Sequence, residues 1–238
     1  MENSPSQRPD FSHVSDWVFD LDNTLYPPSC DLFSQIDERM RSFISDLLGV
    51  NDADAYRLQK QYFRDYGTTL SGLMHEHKIQ PGKFLEHVHD LDVSIIPENP
   101  CLSEILKGIP GRKLVYTNGT VDHARRVLTR VGVLDLFDGI FDIVASDYYP
   151  KPRVESFNRF IARFDVDPGE AAMFEDLGRN LLPAHELGMT TILVRSPDGH
   201  ADPAVRGWAD PIDGVAHVHY HTEDIVEFLS SVSVRSTS

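Results

Sequence analysis

The sequence predicts an α/β protein with a parallel β-sheet and an all-helical segment inserted into it. The later part of the chain alternates short apolar runs with segments of helical spacing, which is the pattern of strands and crossover helices. One more apolar run lies near the start of the chain, and the long segment that follows it contains only helical patterns. We therefore predict a sheet that is covered by helices on both faces and interrupted once.

Five apolar runs are predicted to form the strands. The first is Trp17-Val18-Phe19, and the others are 114–117 (LVYT), 140–146 (IFDIVAS), 171–174 (AAMF) and 190–194 (TTILV). Short apolar runs of this kind, bounded by polar segments, are typical of strands that are buried on both faces. Because helical segments separate the later runs, we expect these strands to pair in parallel.

Helical spacing lies between these strands. Apolar residues recur three and four positions apart over 121–131, ahead of Gly132, and again over 154–164. A third series covers 181–187, and we expect its Pro183 to lie in the first turn, where proline is tolerated. Glycine after such a series favours a helix end, because it adopts the left-handed conformation readily.

The inserted segment begins with a strong helical pattern. Apolar residues line one face from Asp31 to Leu48, and Gly49 follows as the stop. Weaker helical patterns lie near 53–66, 69–78 and 82–90, with no strand pattern among them. A helical insertion in an α/β sheet is well placed to act as a lid over a ligand site.

These patterns predict the domain boundaries. We expect a core formed by 15–27 and 98–229, a helical cap at 28–97, and flexible tails at 1–14 and 230–238. The start of the chain lacks the apolar stretch of a secretory signal, and no apolar run approaches the ~18 residues that span a bilayer. We therefore predict a cytoplasmic protein without a membrane partner.

Composition excludes several classes of protein. The 238 residues are 41% hydrophobic and 25% charged, which argues against a disordered or collagen-like chain. The formal net charge is −15, and because this sign repels phosphate backbones we expect no nucleic-acid partner. The two cysteines, Cys30 and Cys101, are expected to be free thiols, as in a reducing compartment.

Polar residues follow the predicted strands at the end of the sheet where ligands of parallel sheets bind. They include carboxylates, a hydroxyl and an ammonium, so the side chains needed for one reaction are expected to meet there. In chain order they are Asp20, Asp22, Thr117, Asn118, Lys151, Glu175 and Asp176.

This set of side chains suits phosphoryl transfer, in which positioned cations and donors meet the developing charge. The two acidic clusters offer the hard oxygen ligands that suit Mg²⁺, and Lys151 adds a positive charge. Thr117 stands at the start of the helix over 121–131, where an anion is favoured. The backbone N–H groups of Asn118 and Gly119 are expected to face the same anion.

Two carboxylates at one strand end can divide the reaction between them. One can attack phosphorus, which splits hydrolysis into the formation and breakdown of an aspartyl-phosphate. The other can protonate the leaving oxygen and then take a proton from water. For Asp22, this second role requires partial protonation near neutral pH, so its surroundings are expected to disfavour the anion.

The residues resemble the four ordered motifs of the haloacid dehalogenase superfamily of phosphatases. The matching stretches are Asp20-Leu21-Asp22-Asn23-Thr24, Thr117-Asn118, Lys151-Pro152, and Glu175-Asp176 with Asn180. The resemblance implies a Rossmann-like core, with a helical cap between the first and second motifs. It also implies that Asp20 is the nucleophile and Asp22 the acid/base.

The resemblance further implies how the ligands are held. The phosphate is bound by the second and third motifs, through Thr117, Asn118 and Lys151. Mg²⁺ is bound at the first and fourth motifs, by ligands and supporting residues that comprise Asp20, Asp22 through its carbonyl, Asp176, Glu175, Thr24 and Asn180.

Three longer stretches, FDLDNTLYP, YGTTLSGL and FEDLGRNL, look like the pyrimidine 5′-nucleotidase subfamily. Leu177 departs from the small residue that many such sequences carry at its position. The implied substrate is a pyrimidine nucleoside monophosphate. A phosphatase for a sugar phosphate or phosphoglycolate shares every motif and is an alternative. A dehalogenase is disfavoured, because its chemistry does not require Asp22. A phospho-acceptor signalling module or a catalytically silent binding module is the alternative from another class.

Other residues have both a structural and a functional interpretation. His217, His219 and His221 alternate in what reads as a short strand, and three imidazoles on one face would mimic a zinc site. Arg179 is expected to form a structural ion pair. Four aromatic residues of the cap are expected to pack in its core rather than stack on a base: Tyr56, Tyr62, Phe63 and Tyr66.

Overall fold

One parallel sheet of six strands organises the part of the chain that the computed structural model describes, residues 8–195 and 215–235. Neighbouring strands are parallel throughout, in the order β3-β2-β1-β4-β5-β6. The strands are β1 (Asp16–Phe19), β2 (Arg112–Tyr116), β3 (Gly139–Phe141), β4 (Ala171–Glu175), β5 (Thr190–Val194) and β6 (Tyr220–Thr222).

Helices fill most of the chain between these strands. The helices are α1 (Leu32–Leu48), α2 (Asp52–Tyr66), α3 (Thr69–His77), α4 (Pro81–Val88), α5 (Pro100–Gly108), α6 (Val121–Val131), α7 (Val154–Phe164), α8 (Gly178–Glu186) and α9 (Ile225–Ser231). Within the described ranges, none of them combines the length and apolar character that a bilayer crossing requires. The cytoplasmic location stays a prediction.

Both faces of the sheet are buried, as the apolar strands predict. Successive side chains of a strand point to opposite faces, and in β1 Trp17 and Phe19 join one core cluster while Val18 joins the other. Residues of α5, α6 and α9 complete the first cluster, and residues of α7 and α8 complete the second. The prediction of an α/β protein with a parallel sheet is therefore confirmed.

Five helices lie between β1 and β2, and the first four of them, α1–α4, form the predicted helical insertion, with no strand among them in the described chain. In this segment α1 packs against α2 and α4, and α2 packs against α3. Gly72 permits the close approach of α3 to α2, because a Cβ atom there would lie 2.4 Å from the Cβ of Tyr62. We call α1–α4 the helical insert; the exact domain boundaries stay a prediction.

The third strand is shorter than the apolar run that predicted it. β3 ends at Phe141, and the residues after it form turns. Asp142 explains the early end: one carboxylate oxygen accepts from the backbone N–H of Ala145 at 2.8 Å, and the other from that of Val121 at 3.0 Å. A short polar side chain that bonds to nearby backbone favours a turn over a continued strand.

The position of Pro183 differs from the prediction. The helix begins at Gly178 and not near Leu181, so Pro183 lies inside α8 and not in its first turn. The apolar spacing marked only the part of the helix that packs, whereas the first turn of α8 carries polar and small residues that give no such signal.

Segments that were predicted to be flexible tails are partly packed. Phe11 is fully buried and stacks on Trp17 with ring centroids 5.7 Å apart. Its backbone N–H donates to the carbonyl of Ser233 at 2.8 Å, and Asp10 and Ser233 form an isolated parallel bridge. The prediction of flexible tails is therefore wrong at these positions, because one aromatic ring provides enough apolar surface to hold the two ends together.

Candidate active site

The carboxyl ends of β1, β2 and β4 meet at one cavity. The backbone N–H of Asp20, just after β1, donates to the carbonyl of Phe174 at 2.9 Å. The backbone N–H of Thr117, just after β2, donates to the carbonyl of Phe141, also at 2.9 Å. Both bonds continue the ladder past the strand end, so the polar side chains emerge at one edge of the sheet. Of the predicted site residues, all but Thr24 line this cavity.

Lys151 is the cation at the centre of the site. Its side chain is 1% exposed, and the ammonium lies 2.5 Å from Asp20 Oδ1 and 2.8 Å from Glu175 Oε1. It also donates to the carbonyl of Tyr116 at 2.9 Å. The two carboxylates outweigh the effect of burial and raise the pKa of Lys151, so the ammonium stays charged at neutral pH.

Asn118 holds Lys151 in place through its main chain. The side-chain oxygen of Asn118 accepts from the backbone N–H of Lys151 at 2.8 Å, and its nitrogen donates to the Lys151 carbonyl at 3.3 Å. The Asn118 side chain thus positions Lys151, and the binding of phosphate by Thr117, Asn118 and Lys151 stays a prediction.

Glu175 is held on all sides. Its Oε1 accepts from Lys151 and from the Asn180 side chain at 2.6 Å, and its Oε2 accepts from the backbone N–H of Leu177 at 2.7 Å. Burial acts to raise the pKa of Glu175, but these partners, Lys151 first among them, lower it. Both oxygens of Glu175 are therefore engaged by donors of the protein, and its predicted role in supporting the metal stays a prediction.

The acidic cluster fits a divalent metal ion. Within the described ranges, one group of three metal-ligating side chains (His, Cys, Asp or Glu) has its ligand atoms within 4.8 Å of one another. It consists of Asp20, Glu175 and Asp176. Burial and the neighbouring carboxylates raise the pKa of Asp20 to about 7 and that of Asp176 well above its usual value. Two buried carboxylates and the partly exposed one of Asp176 lie close together with the single ammonium of Lys151, which leaves excess negative charge, and hard oxygen ligands of this kind suit Mg²⁺.

Asp22 lies between two donors beside this cluster. Its Oδ1 accepts from the hydroxyl of Tyr26 at 2.7 Å and lies 2.8 Å from Nε2 of His123. Burial acts to raise the pKa of Asp22, but His123 and Tyr26 outweigh it and hold the pKa below its usual value. The expectation that the surroundings disfavour the anion is therefore wrong for this structure.

The two threonines of the predicted site have local partners. The Thr117 hydroxyl accepts from the backbone N–H of Gly119 at 2.9 Å, so this N–H, expected to face an anion, is engaged within its own turn. Thr24 contacts Asp20, with its hydroxyl 3.4 Å from Oδ2. Thr24 thus contacts Asp20 without lining the cavity.

The helical insert closes the cavity opposite the sheet edge. Most of the wall that it contributes is apolar, with side chains from α1 and α4 that include Phe33, Ile36, Met40, Phe84, Leu85 and Val88. The cavity therefore has a charged floor at the strand ends and an apolar wall on the insert. A phosphate ester with an apolar leaving group matches this division.

A family model for haloacid dehalogenase-like hydrolases matches residues 18–188. The chain belongs to this family. The match spans β1 to α8 and includes each strand end that carries the charged residues described above. The resemblance that the four motifs indicated is confirmed at the level of the superfamily.

Three proteins show what this haloacid dehalogenase-like hydrolase is similar to. Phosphate metabolism protein 8 of Saccharomyces cerevisiae is 31% identical over 152 residues, which cover 59% of this chain but only 46% of the yeast protein. Glyceraldehyde 3-phosphate phosphatase of Methanocaldococcus jannaschii is 26% identical over 195 residues, covering 74% of this chain and 83% of that protein. The structure of L-2-haloacid dehalogenase from Xanthobacter autotrophicus shares the fold, with a TM-score of 0.58 at 13% identity over 91% of this chain and 97% of that one.

Sequence reasoning missed three residues of the Asp22 environment in this hydrolase. Tyr26 and His123 bond to Asp22, and the His123 ring stacks on that of His89, with centroids 4.6 Å apart and planes at 11°. His89 caps the end of α4, so the stack joins the helical insert to the sheet edge. One signal was present in the sequence. His123 lies four residues before Val127, on the apolar face of α6, and a buried imidazole at such a position needs a hydrogen-bond partner.

Other predicted features have mainly structural roles. Of the four aromatic residues of the insert, Phe63 lines the cavity, and the Arg179 guanidinium lies over its ring, 4.4 Å from the centroid. The Tyr62 hydroxyl forms a hydrogen bond with His77. The three histidines near the C-terminus do not form a metal site among the described residues. His217 lies 3.1 Å from the carbonyl of Gly178, and His219 contacts Thr191.

Proposed function

We propose that this hydrolase is a Mg²⁺-dependent phosphatase that acts through an aspartyl-phosphate, with pyrimidine nucleoside 5′-monophosphates as its substrates. One observation carries the proposal: Asp20 lies in the cavity with its Oδ1 on the Lys151 ammonium, beside the acidic cluster. A buried carboxylate next to a fixed cation is placed to attack a phosphate, because the cation offsets the charge repulsion.

The first step would form a bond between an Asp20 oxygen and phosphorus and break the bond from phosphorus to the leaving oxygen. Lys151 would hold the phosphate oxygens, together with the Thr117 hydroxyl. When bound by Asp20 and Asp176, Mg²⁺ would supply further charge neutralisation. The leaving oxygen takes up a proton, for which Asp22 is the candidate donor.

Asp22 would handle this proton through Oδ2, because Tyr26 and His123 both engage Oδ1. The pKa of Asp22 is lowered in the structure, but an incoming phosphate dianion brings negative charge beside it and acts to raise that pKa. In the second step water attacks the phosphorus of the aspartyl-phosphate, and Asp22 takes the proton of this water. Phosphate then leaves and Asp20 is regenerated.

The names of the relatives support the reaction, and the cavity wall supports the substrate. The Methanocaldococcus jannaschii relative is named as a phosphatase and the yeast relative as a phosphate metabolism protein, which agrees with phosphate ester hydrolysis. The apolar wall of the helical insert suits a flat ring better than a polyol. A sugar-phosphate phosphatase is the second candidate, and the name of the Methanocaldococcus jannaschii relative favours it.

A substrate panel tests the proposal. We would measure phosphate release from UMP, CMP, dTMP, AMP, GMP, phosphoglycolate and glyceraldehyde 3-phosphate, with Mg²⁺ and with a chelator. The proposal expects metal-dependent turnover that is fastest with the pyrimidine nucleotides. Fastest turnover with the triose phosphate would replace the substrate and keep the mechanism, whereas full activity in chelator would contradict the role of the metal.

A further inference from the structure

A cluster of three bonded polar residues interrupts the apolar wall of the helical insert, apart from two threonines, Thr68 and Thr69, that also line the cavity. Asp37 lies on α1, and Gln59 and Lys60 lie on α2; all three line the cavity. The Lys60 ammonium lies 2.8 Å from Asp37 Oδ2, and the Gln59 side-chain nitrogen donates to Asp37 Oδ1 at 2.7 Å. Both oxygens of the carboxylate are thus engaged, one by each neighbour.

These contacts fix the orientation of the Gln59 amide. Its nitrogen, the only donor of the group, lies on Asp37 Oδ1 and also 3.6 Å from the Met40 sulfur. The reverse orientation would place the amide oxygen against a carboxylate oxygen, and two acceptors repel each other. The oxygen Oε1 must therefore be the atom that points away from Asp37.

That oxygen is buried without a hydrogen-bond partner among the described residues. Gln59 is 1% exposed, so burial denies Oε1 the hydrogen bonds that it would make in water. Buried polar atoms are paired in most native proteins, and because Gln59 lines the cavity, a ligand bound there is the candidate for the missing partner. The missing partner must be a donor, because Oε1 can only accept.

We propose that Gln59 Oε1 accepts a hydrogen bond from an N–H group on the leaving group of the substrate. The apolar side chains around it would contact the faces of a flat ring, so the inferred ligand class is a ring that carries an imide N–H, as uracil and thymine do. Gln59 is then a specificity-determining residue of the helical insert. This inference rests on the proposed function and adds to it the feature of the base that is recognised.

Replacement of the imide hydrogen of the ring by a methyl group tests the inference. We would compare kcat/KM for UMP and for 3-methyluridine 5′-monophosphate, whose ring nitrogen carries a methyl group in place of hydrogen. The wild-type protein should prefer UMP by about tenfold or more, because a site built to bond an N–H group rejects the analogue that lacks it.

Gln59→Met should narrow this preference, because it keeps the length of the side chain and removes the acceptor. Gln61→Met is the matched control, since Gln61 lies on the same helix and is exposed; it should keep the wild-type preference. The inference is overturned if Gln59→Met keeps that preference too.

A direct binding measurement covers the case in which Gln59→Met does not fold, as circular dichroism would reveal. Calorimetry on Asp20→Asn, with Gln59 intact, should show tighter binding of UMP than of the methylated analogue, and equal affinities would overturn the inference. Failure of the proposed function looks different: the wild-type protein would hydrolyse p-nitrophenyl phosphate but no pyrimidine nucleotide.

Discussion

Two buried lysines, one at the sheet edge and one in the helical insert, show how differently the two regions are built. Lys151 is 1% exposed and bonds to Asp20, Glu175 and a main-chain carbonyl. Lys60 has an 8% exposed side chain and pairs with Asp37, which is 22% exposed. The lysine of the sheet edge thus joins two carboxylates in a water-poor site, whereas that of the insert pairs with a carboxylate that still reaches solvent.

The difference reflects the two kinds of packing. Parallel strands bring their carboxyl ends to one edge, so charged groups from distant parts of the chain converge there and must compensate one another. Helices of the insert meet through apolar faces and leave room for few polar groups. We infer that the sheet edge provides the chemistry and the insert provides the selection, and four predictions test the two regions.

The largest effect is expected from Asp20→Asn. An amide is a poor nucleophile, so phosphate release should fall by more than about 10³-fold. Lys151 keeps its bond to Glu175, so the variant should fold. Phosphate release and circular dichroism on the same sample check both points. A folded variant with wild-type turnover would refute the assignment of Asp20 as the nucleophile.

Asp22→Asn should slow turnover by about 10² to 10⁴-fold, because the amide cannot transfer the proton in either step. Rapid-mixing measurements of phosphate release would separate the two steps, and both should slow. Unchanged rates would mean that another group carries the proton.

The two lysines can be compared through stability. Lys151→Met leaves two buried carboxylates without their cation, and the free energy of unfolding should fall by about 3–5 kcal/mol. Lys60→Met should cost less, about 1–2 kcal/mol, because water compensates Asp37 in part. Urea denaturation in chelator measures both variants. If both variants lost the same free energy of unfolding, the difference in burial between the two lysines would not determine their contribution to stability.

The smallest effect is expected from His123→Leu. Asp22 then keeps only Tyr26 as a partner, and its carboxylate loses orientation, so kcat should fall by about tenfold with little change in KM. Arg125→Leu, on the exposed side of the same helix, is the matched control and should retain wild-type kcat. A rise in KM with unchanged kcat would assign His123 to substrate binding and not to positioning.

Most residues that sequence reasoning placed at the cavity stand just after a strand; Lys151, beyond the turns that follow β3, and Asn180, inside α8, are the exceptions. The alternation of strands and helices fixes which end of the sheet these residues occupy, so Asp20, Thr117 and Asp176 could be brought together without coordinates. Asn118 was placed at the site, but its side-chain bonds to Lys151 were not predicted, because they depend on the path of the loop after β3.

The residues that were missed depend on contacts between distant segments. Tyr26 and His123 reach Asp22 from a loop and from α6, and His89 reaches His123 from the helical insert. The amide of Gln59 is informative only because α1 places Asp37 against its nitrogen. None of these pairings leaves a periodic signal in the chain.

The amino-acid sequence by itself determined the parallel sheet, the helical insertion and the four motifs of the active site. Local patterns encode these features, because hydrophobic spacing selects strands and helices, and parallel pairing sends their ends to one edge. Only the tertiary structure decided how the carboxylates are paired, how the pKa of each is shifted and which insert residue along the cavity has an unpaired acceptor. The physical reason is that burial and electrostatic interactions depend on distances of a few ångströms between segments that lie far apart in the chain.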